Sequence, residues 1–357
     1  MEKFILLATQ RSGTGFLSSL LTSHPEIHVF PELLLWHDFK EKNNYFHFWR
    51  KKIKKSAVNI TPPGQKQVLS EFFDTAFKKK KNCKIVGINI KYDQLAIIPD
   101  ELHILNRKFN KVIHLVRKNI LKTLISTILN IKKEQLGRKS HSTEKYAPHK
   151  ITLPIDQQLL NDLANIKRSI AENRNRFKNL YKDNYLEIYY EDFFDPNSMD
   201  RGKINRDVLK EIYDFFAIDY NFNLQTDLVK TNPDNLQDLL KNYSESKLFL
   251  QLNGWEYLFK TPIVPPGYRN SAADEYELII HDLQNNNLKQ MMNRLKPLYE
   301  KNPLNPKIVK LFINALFRLD MKMQAAKVYG IFQKSIPEDN EVSEAYNFLM
   351  NNNTIYY

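Results

Sequence analysis

One cysteine, Cys83, is all that the 357-residue sequence contains. A single cysteine excludes an internal disulfide, and it excludes zinc or iron–sulfur sites built from clustered cysteines. No apolar run approaches the roughly 18–20 residues of a membrane-spanning helix, so we expect no transmembrane segment. The apolar stretch at residues 4–8 is too short for the core of a secretory signal. These absences favour a soluble, cytoplasmic protein.

Acidic residues are scarce in the first part of the chain. Residues 1–150 contain 28 Lys and Arg against 12 Asp and Glu, whereas the remainder contains 25 against 28. The net charge of +13 therefore comes from the first part. Basic runs such as residues 50–55 are commonly solvated faces. If the asymmetry has a function, the partner is anionic: a phosphorylated cofactor, an acidic acceptor or nucleic acid.

Short apolar runs alternate with amphipathic segments over the first 190 residues. This alternation predicts an α/β fold in which helices flank a parallel sheet. Strands are expected at residues 4–8, 27–30, 84–90, 111–116 and 184–190. Helices are expected at residues 16–23, 67–80, 120–133 and 156–181.

Strand-like patterns are missing after residue 270. Residues 261–270 are rich in Pro and Gly without periodicity and indicate a linker, which predicts one domain at 1–265 and another at 266–357. Pro303 and Pro337 are 34 residues apart, with two amphipathic segments at 308–319 and 323–335 between them. This spacing predicts an all-α tail of helical hairpins, similar to a tetratricopeptide unit. An unrelated small helical bundle is the alternative.

A polar turn, "QRSGTG" at residues 10–15, separates the first strand from the first helix. A strand, a glycine turn and a helix together present backbone N–H groups to a phosphate or a similar oxyanion. The lysine of the nucleoside triphosphate-binding loop is missing here, because Gly15 is followed by Phe16 and Leu17. The cation comes first instead, as Arg11. The alternative is an ordinary turn rich in small residues.

Three further segments complete a pattern with this turn. They are "VIHLVRKNILKTLISTIL" at 112–129, "YLEIYYEDFFDPN" at 185–197 and "LLKNYSES" at 239–246. In this order the four segments resemble the signatures of the sulfotransferases that use 3′-phosphoadenosine 5′-phosphosulfate. The resemblance implies the P-loop-like fold of that family. It also implies the activated sulfate nucleotide as donor and adenosine 3′,5′-bisphosphate as product.

The resemblance also implies a role for each matching residue. Arg11 would contact the bridging oxygen between phosphate and sulfuryl group, and Arg117 with Ser126 would bind the 3′-phosphate. The full set of implied donor-binding residues is Arg11, Ser12, Gly13, Thr14, Gly15, Phe16, Arg117, Ser126 and Tyr190. Within it, residues 12–15 would hold the 5′-phosphate and Phe16 would pack on adenine. Many members carry a second hydroxyl where this chain has Gly15, which removes one side-chain donor.

A base for the acceptor hydroxyl is not supplied by the K-T/S-H segment of cytosolic members, because Tyr92 follows Lys91 here. "HPEIHVFPELL" at 24–34 resembles instead the segment in which protein-tyrosine and carbohydrate sulfotransferases carry a glutamate base. Glu32, 21 residues after Arg11, has that position. We therefore expect Glu32 as the base, Lys91 as an orienting cation and no metal. His28 or His37 is the alternative base.

The resemblance implies transfer of a sulfuryl group to a hydroxyl of an acceptor. We expect a glycan or glycolipid, and a tyrosine peptide is the alternative. Loops at 36–55 and 138–154 would form its pocket, with Trp36, Tyr45, Trp49 and Tyr146 as stacking residues. The helical tail offers a surface for a protein partner. Rival functions are a kinase-like phosphotransferase and a non-catalytic nucleotide- or nucleic-acid-binding protein; we expect no nucleic acid partner.

Overall fold

The chain contains two compact units. The computed structural model describes residues 1–36, 40–80, 82–96, 100–135, 150–194, 204–220, 235–260 and 275–351. The first unit comprises Met1–Lys118, Ser126–Ala147 and Ile166–Thr231. The second unit comprises Asn119–Ile125, Pro148–Asn165 and Asn232–Tyr357.

A five-stranded parallel sheet organises the described part of the first unit. Its strands are β1 (Glu2–Ala8), β2 (Ile27–Glu32), β3 (Ile85–Lys91), β4 (Lys111–Val116) and β5 (Tyr185–Tyr189), in the spatial order β2-β3-β1-β4-β5. The predicted α/β fold with a parallel sheet and flanking helices is therefore confirmed. Because β1 lies at the centre, the ends of β3 and β4 flank the turn that follows it.

The helices of the described residues follow the expected periodicity. They are α1 (Thr14–Thr22), α2 (Tyr45–Ile53), α3 (Pro62–Lys78), α4 (Tyr92–Leu95), α5 (Glu101–Lys108), α6 (Ile120–Gln135), α7 (Gln157–Tyr181), α8 (Arg206–Phe216), α9 (Tyr243–Leu252), α10 (Glu275–Gln284), α11 (Leu288–Lys301), α12 (Pro306–Arg318), α13 (Lys322–Ser335) and α14 (Asn340–Asn351). The structure starts α3 five residues before the expected position. Thr61 caps it by accepting a hydrogen bond from the backbone N–H of Gly64, and prolines suit the first helical positions.

Each face of the sheet buries its own apolar layer. Alternate residues of β1 point to opposite faces, so Ile5 packs in one core with Phe73, while Phe4 packs in the other with Leu17. All four side chains are fully buried. Such two-sided burial explains why the strands are nearly continuous apolar runs.

The second unit has a separate core formed largely by α10–α14. Helices α12 and α13 confirm the two helices expected at 308–319 and 323–335, and the tetratricopeptide assignment stays a prediction. Residues 261–270, the expected linker, lie outside the described residues. Before them, Leu252 belongs to the same core as α10, and the side chain of Gln284 donates to the Gly254 carbonyl at 2.8 Å. Residues on both sides of position 265 therefore contact each other, and the division into domains at 1–265 and 266–357 stays a prediction.

Candidate active site

The turn at residues 10–15 leaves the central strand with unusual backbone geometry. Arg11 has a φ of 61° and Gly13 a φ of 91°, both in the left-handed region that disfavours most side chains. A Cβ at Gly13 would overlap the ring of Tyr190, so close packing also requires glycine there. Gly13 caps α1 without any side-chain hydrogen bond, which leaves the first N–H groups of that helix for another acceptor.

Arg11 contacts the two residues expected to bind the 3′-phosphate. Its Nε donates to the Oγ of Ser126 at 3.1 Å, and its carbonyl accepts from Nη1 of Arg117 at 3.1 Å. The Arg117 guanidinium also lies over the ring of Tyr190, 5.2 Å from the centroid. Residues from the turn, from the segment after β4, from α6 and from the segment after β5 therefore meet at one place.

Two other expected donor-binding residues, Ser12 and Phe16, are buried fully and in part, respectively. Ser12 is fully buried, and its Oγ has no hydrogen-bond partner among the described residues. Phe16, in the first turn of α1 after Gly15, packs against the rings of Phe194 at 5.5 Å, Phe193 at 5.9 Å and Tyr190 at 6.2 Å between centroids. Tyr190 lies just past β5, in a short 3₁₀ helix (Tyr190–Phe193), and not in the strand as expected.

Lys91 and Glu32 lie together beside the turn. Each is the last residue of its strand, β3 and β2 respectively. The ammonium of Lys91 donates to the Oγ1 of Thr14 and lies 3.8 Å from Oε1 of Glu32. The side chain of Lys91 is only 1% exposed. The expected base and the expected orienting cation are thus neighbours, although 59 positions separate them.

Burial changes the proton affinity of this lysine. Loss of solvation is the largest effect and lowers the pKa of Lys91 to about 8, with a smaller lowering from the charge of Arg11. Glu32 and Asp93 act in the opposite direction, since a negative neighbour favours the ammonium form. Lys91 therefore changes its charge within an accessible pH range.

Gln94 is a member of the site that sequence reasoning missed. It is 2% exposed, and its Nε2 donates to Oε2 of Glu32 at 2.9 Å. Its Oε1 accepts from the backbone N–H of Lys91 at 3.1 Å. The available signal was a glutamine three residues after a strand end, because that position closes a capping box at the start of a helix.

His28 and His37 are the two alternative candidates for the base. His28 lies in β2 opposite Val86, four positions before Glu32. Its burial, together with the charge of Lys80, lowers its pKa. His37 lies outside the described residues.

A polar network is centred on the fully buried His114 of β4. Nδ1 of His114 is 2.5 Å from the hydroxyl of Tyr185, and its Nε2 is hydrogen-bonded to the hydroxyl of Tyr92. Tyr185 in turn donates to Oε2 of Glu187 at 3.0 Å, which also accepts from Nε of Arg174 at 2.6 Å. Burial lowers the pKa of His114. Tyr92 directly follows Lys91, so the network supports the end of β3.

The expected acceptor-binding aromatics have different environments. Trp36 is 68% exposed, whereas Tyr45 is 4% exposed and belongs to the core of the first unit. Trp49 is half-buried and donates from Nε1 to the carbonyl of Asn59 at 2.9 Å. Tyr146 lies outside the described residues. Of the described aromatics in this set, Trp36 is the one open to a ligand.

The described residues contain neither a helix suited to cross a membrane nor a cluster of metal-ligating side chains. None of their helices is both long enough and apolar enough to cross a membrane. Among the same residues, no group of three or more His, Cys, Asp or Glu side chains is placed to hold a metal ion.

No family model and no curated protein matches the chain. Several solved structures are similar to it, and two of them are sulfotransferase domains. One is the sulfotransferase domain from the Synechococcus PCC 7002 olefin synthase, with a TM-score of 0.39 and 19% identity over 80% of this chain and 93% of that one. The other is the sulfotransferase domain from the curacin biosynthetic pathway, with a TM-score of 0.39 and 14% identity over 80% and 98% respectively.

Proposed function

We propose that this protein transfers a sulfuryl group from 3′-phosphoadenosine 5′-phosphosulfate to a hydroxyl of an acceptor. The observation that most supports this is the meeting of Arg11 with both Arg117 and Ser126, through two 3.1 Å hydrogen bonds, at a glycine turn. Each of these residues matches a different signature of the sulfotransferase family. A nucleotide that carries a phosphate on both the 3′ and the 5′ position of its ribose requires these residues to lie close together.

The residues present suit an anionic donor. Ser12 has a buried hydroxyl without a partner among the described residues, and the first turn of α1 directs N–H groups outward. In our proposal Ser12, Gly13, Thr14 and Gly15 hold the 5′-phosphate and Arg117 with Ser126 the 3′-phosphate. Arginine suits that task because its planar fork can bind two oxygens at once. Phe16 and Tyr190 would line the adenine side of the site.

When bound, the donor supplies the sulfuryl group and an anionic leaving group. Arg11 and the buried Lys91, in its ammonium form, stabilise the negative charge that develops on the bridging oxygen of the donor as its bond to sulfur breaks. Glu32 accepts the proton of the acceptor hydroxyl, and the Lys91 ammonium 3.8 Å away stabilises the carboxylate until it does. Positioning and electrostatics lower most of the barrier, and the proposal needs no metal.

The acceptor is proposed to be a glycan or glycolipid, with a tyrosine peptide as the second candidate. The exposed indole of Trp36, four residues after Glu32, supports a ligand that stacks on an aromatic ring. The helices after residue 275 are proposed to recruit a protein partner, since helical hairpins form docking surfaces.

A thermal-shift comparison tests this proposal against its rivals. Adenosine 3′,5′-bisphosphate should raise the melting temperature more than ATP with magnesium or single-stranded oligonucleotides do. A larger shift with ATP and magnesium would favour a phosphotransferase, and a salt-sensitive shift with oligonucleotides would favour a nucleic-acid-binding protein. A screen of glycans, glycolipids and tyrosine peptides with radiolabelled donor then identifies the acceptor. If the bisphosphate nucleotide has no effect, the proposal is wrong.

A further inference from the structure

We infer that Gln94 is the positioning residue that fixes the Glu32 carboxylate in its catalytic orientation. This inference rests on the proposed function, because it concerns the residue proposed as base. Among the described residues, Gln94 makes no hydrogen bond with the turn at 10–15 or with Arg117. Its role is therefore exerted through Glu32.

The orientation of the Gln94 amide follows from its two partners. The backbone N–H of Lys91 can only donate, so it requires the carbonyl oxygen Oε1 on its side, 3.1 Å away. The amide nitrogen Nε2 must then face Glu32, where it donates to Oε2 at 2.9 Å. Because Gln94 is 2% exposed, its amide is shielded from water on its own side of both bonds. In this geometry the side chain of Gln94 can act toward Glu32 only as a hydrogen-bond donor.

Three residues form a closed cycle in this arrangement. The Lys91 backbone holds Gln94, Gln94 holds one oxygen of Glu32, and the Lys91 ammonium lies 3.8 Å from the other oxygen. Rotation of the Glu32 carboxylate would break at least one of these contacts. The cycle therefore sets the direction of the remaining lone pairs of Glu32 before any substrate arrives. A misplacement of about 1 Å can cost on the order of 100-fold in rate, so such fixation matters for turnover.

Two substitutions separate the link to Glu32 from the link to Lys91. Gln94→Glu keeps an oxygen for the Lys91 N–H but replaces the donor facing Glu32 by a second carboxylate. Gln94→Met keeps the length and removes both bonds. The matched control is Gln67→Glu, since Gln67 also donates to a glutamate carboxylate, that of Glu71 at 3.0 Å, but on the exposed surface of α3.

The main measurement is single-turnover transfer at saturating donor as a function of pH. We expect Gln94→Glu and Gln94→Met to slow transfer by about tenfold or more, whereas Gln67→Glu leaves the rate unchanged. Gln94→Glu should also move the acid limb of the pH–rate profile to higher pH, because two adjacent carboxylates favour a shared proton. A purely structural role would not move that limb. In the Glu32→Gln background, Gln94→Met should cause no further loss.

Two kinetic outcomes overturn the inference. One is an unchanged rate and pH profile in Gln94→Glu, and the other is an equal slowing by Gln94→Met with and without the Glu32 carboxyl group. A measurement independent of turnover covers variants that do not fold: the side-chain amide NMR signal of Gln94, identified by its loss in Gln94→Met, should shift in Glu32→Gln. If that shift is absent, the inference is wrong. If the shift is present but the wild-type protein transfers no sulfuryl group to any acceptor, the proposed function fails while the Gln94–Glu32 link stands.

Discussion

Nε of Arg11 lies 3.1 Å from Oγ of Ser126, although the two residues are 115 positions apart. Ser126 is proposed to bind one end of the donor nucleotide and Arg11 the other. The guanidinium of Arg11 and the hydroxyl of Ser126 are therefore hydrogen-bonded to each other within the site. Arg117 takes part as well, because it holds the carbonyl of Arg11. Substitutions in this group should consequently reveal which end of a nucleotide each residue contacts.

The first prediction concerns the 3′-phosphate. Arg117→Ala should weaken binding of adenosine 3′,5′-bisphosphate by about 1.5–3 kcal/mol, the value of a hydrogen bond to a charged group, and should hardly affect adenosine 5′-phosphate. Calorimetric titration measures both affinities. Lys118→Ala is the control, since it removes a cation one residue further on that pairs with Asp192 at 2.5 Å. Equal losses for the two nucleotides in Arg117→Ala would assign Arg117 to another part of the ligand.

The second prediction concerns the base. Glu32→Gln keeps the shape of the side chain but cannot accept a proton, so nucleotide affinity should persist while transfer falls by ~10²–10⁴-fold. Arg11→Ala should instead reduce both affinity and transfer, because its charge meets the leaving phosphate. Single-turnover transfer at saturating donor and nucleotide affinity are measured for each variant. If Glu32→Gln retains more than about a tenth of the wild-type rate, the base is a histidine such as His28 or His37.

The third prediction concerns Lys91 and pH. The pKa of about 8 means that its ammonium loses a proton as the pH rises through that value. Binding of an anionic nucleotide should therefore be strongest below pH 8 and weaken above it. Lys91→Arg should bind equally well over this range, because a guanidinium stays charged, and Lys91→Met should bind weakly throughout. A wild-type affinity that is constant from about pH 7 to 9.5 would exclude Lys91 from the anion site.

The fourth prediction concerns Glu187 in the His114 network. Burial opposes ionisation of its carboxyl, but hydrogen bonds from His114 and Arg174 and the charge of Arg174 outweigh it and lower the pKa to about 2. Because the pKa of Glu187 is lower in the folded than in the unfolded state, its carboxylate stabilises the fold at pH values above the unfolded-state pKa near 4.5. That stability is lost as the pH falls from 4.5 toward 2. This pKa shift corresponds to a contribution on the order of 3 kcal/mol to the free energy of unfolding.

Glu187→Gln tests this contribution by denaturant unfolding at several pH values. The variant should be less stable than the wild-type protein near neutral pH, and the difference should narrow between pH 4.5 and 2. Glu172→Gln, at an exposed position of α7, is the control and should change stability little. A Glu187→Gln difference that does not depend on pH would show that the carboxylate charge is not what stabilises the network.

The fifth prediction compares two glycines of the second unit. Gly254 has a φ of 77°, and a Cβ there would lie 2.9 Å from Cγ2 of Ile280. Gly254→Ala should therefore lower the free energy of unfolding by about 1–3 kcal/mol. Gly330, inside α13, has no atom within 4 Å of such a Cβ, so Gly330→Ala should raise it by about 0.5–1 kcal/mol. No loss of stability in Gly254→Ala would contradict the packing of residues before position 265 on α10.

The elements themselves could be predicted from the sequence because their causes are local. The apolar run of β4 at residues 111–116 has the expected bounds, and β1, β3 and β5 differ from expectation by one or two residues at an end. Arg11 and the glycines of the turn were predicted as binding residues because the start of a helix after a glycine turn suits an oxyanion. Glu32 was predicted as the base from the resemblance of the segment at 24–34 and from its distance of 21 positions from Arg11.

The order of the strands was not predictable in the same way, since it depends on which apolar faces pack together across the whole unit. Only that order places β1 between β3 and β4, which brings Lys91 to Thr14 and Arg117 to Arg11. The role of Gln94 could not be predicted from the sequence for the same reason, because it depends on contacts with Lys91 and Glu32 that form only in the folded protein.

By itself, then, the sequence determined a parallel α/β unit, a glycine turn suited to an oxyanion and a helical tail, since hydrophobic periodicity and backbone preference act over a few neighbouring residues. The tertiary structure decided which polar side chains share the site. The contacts of Gln94 with Glu32 and of Arg11 with Ser126 span 62 and 115 positions. Contacts over such distances follow from the packing of the sheet and its helices, and no local pattern encodes them.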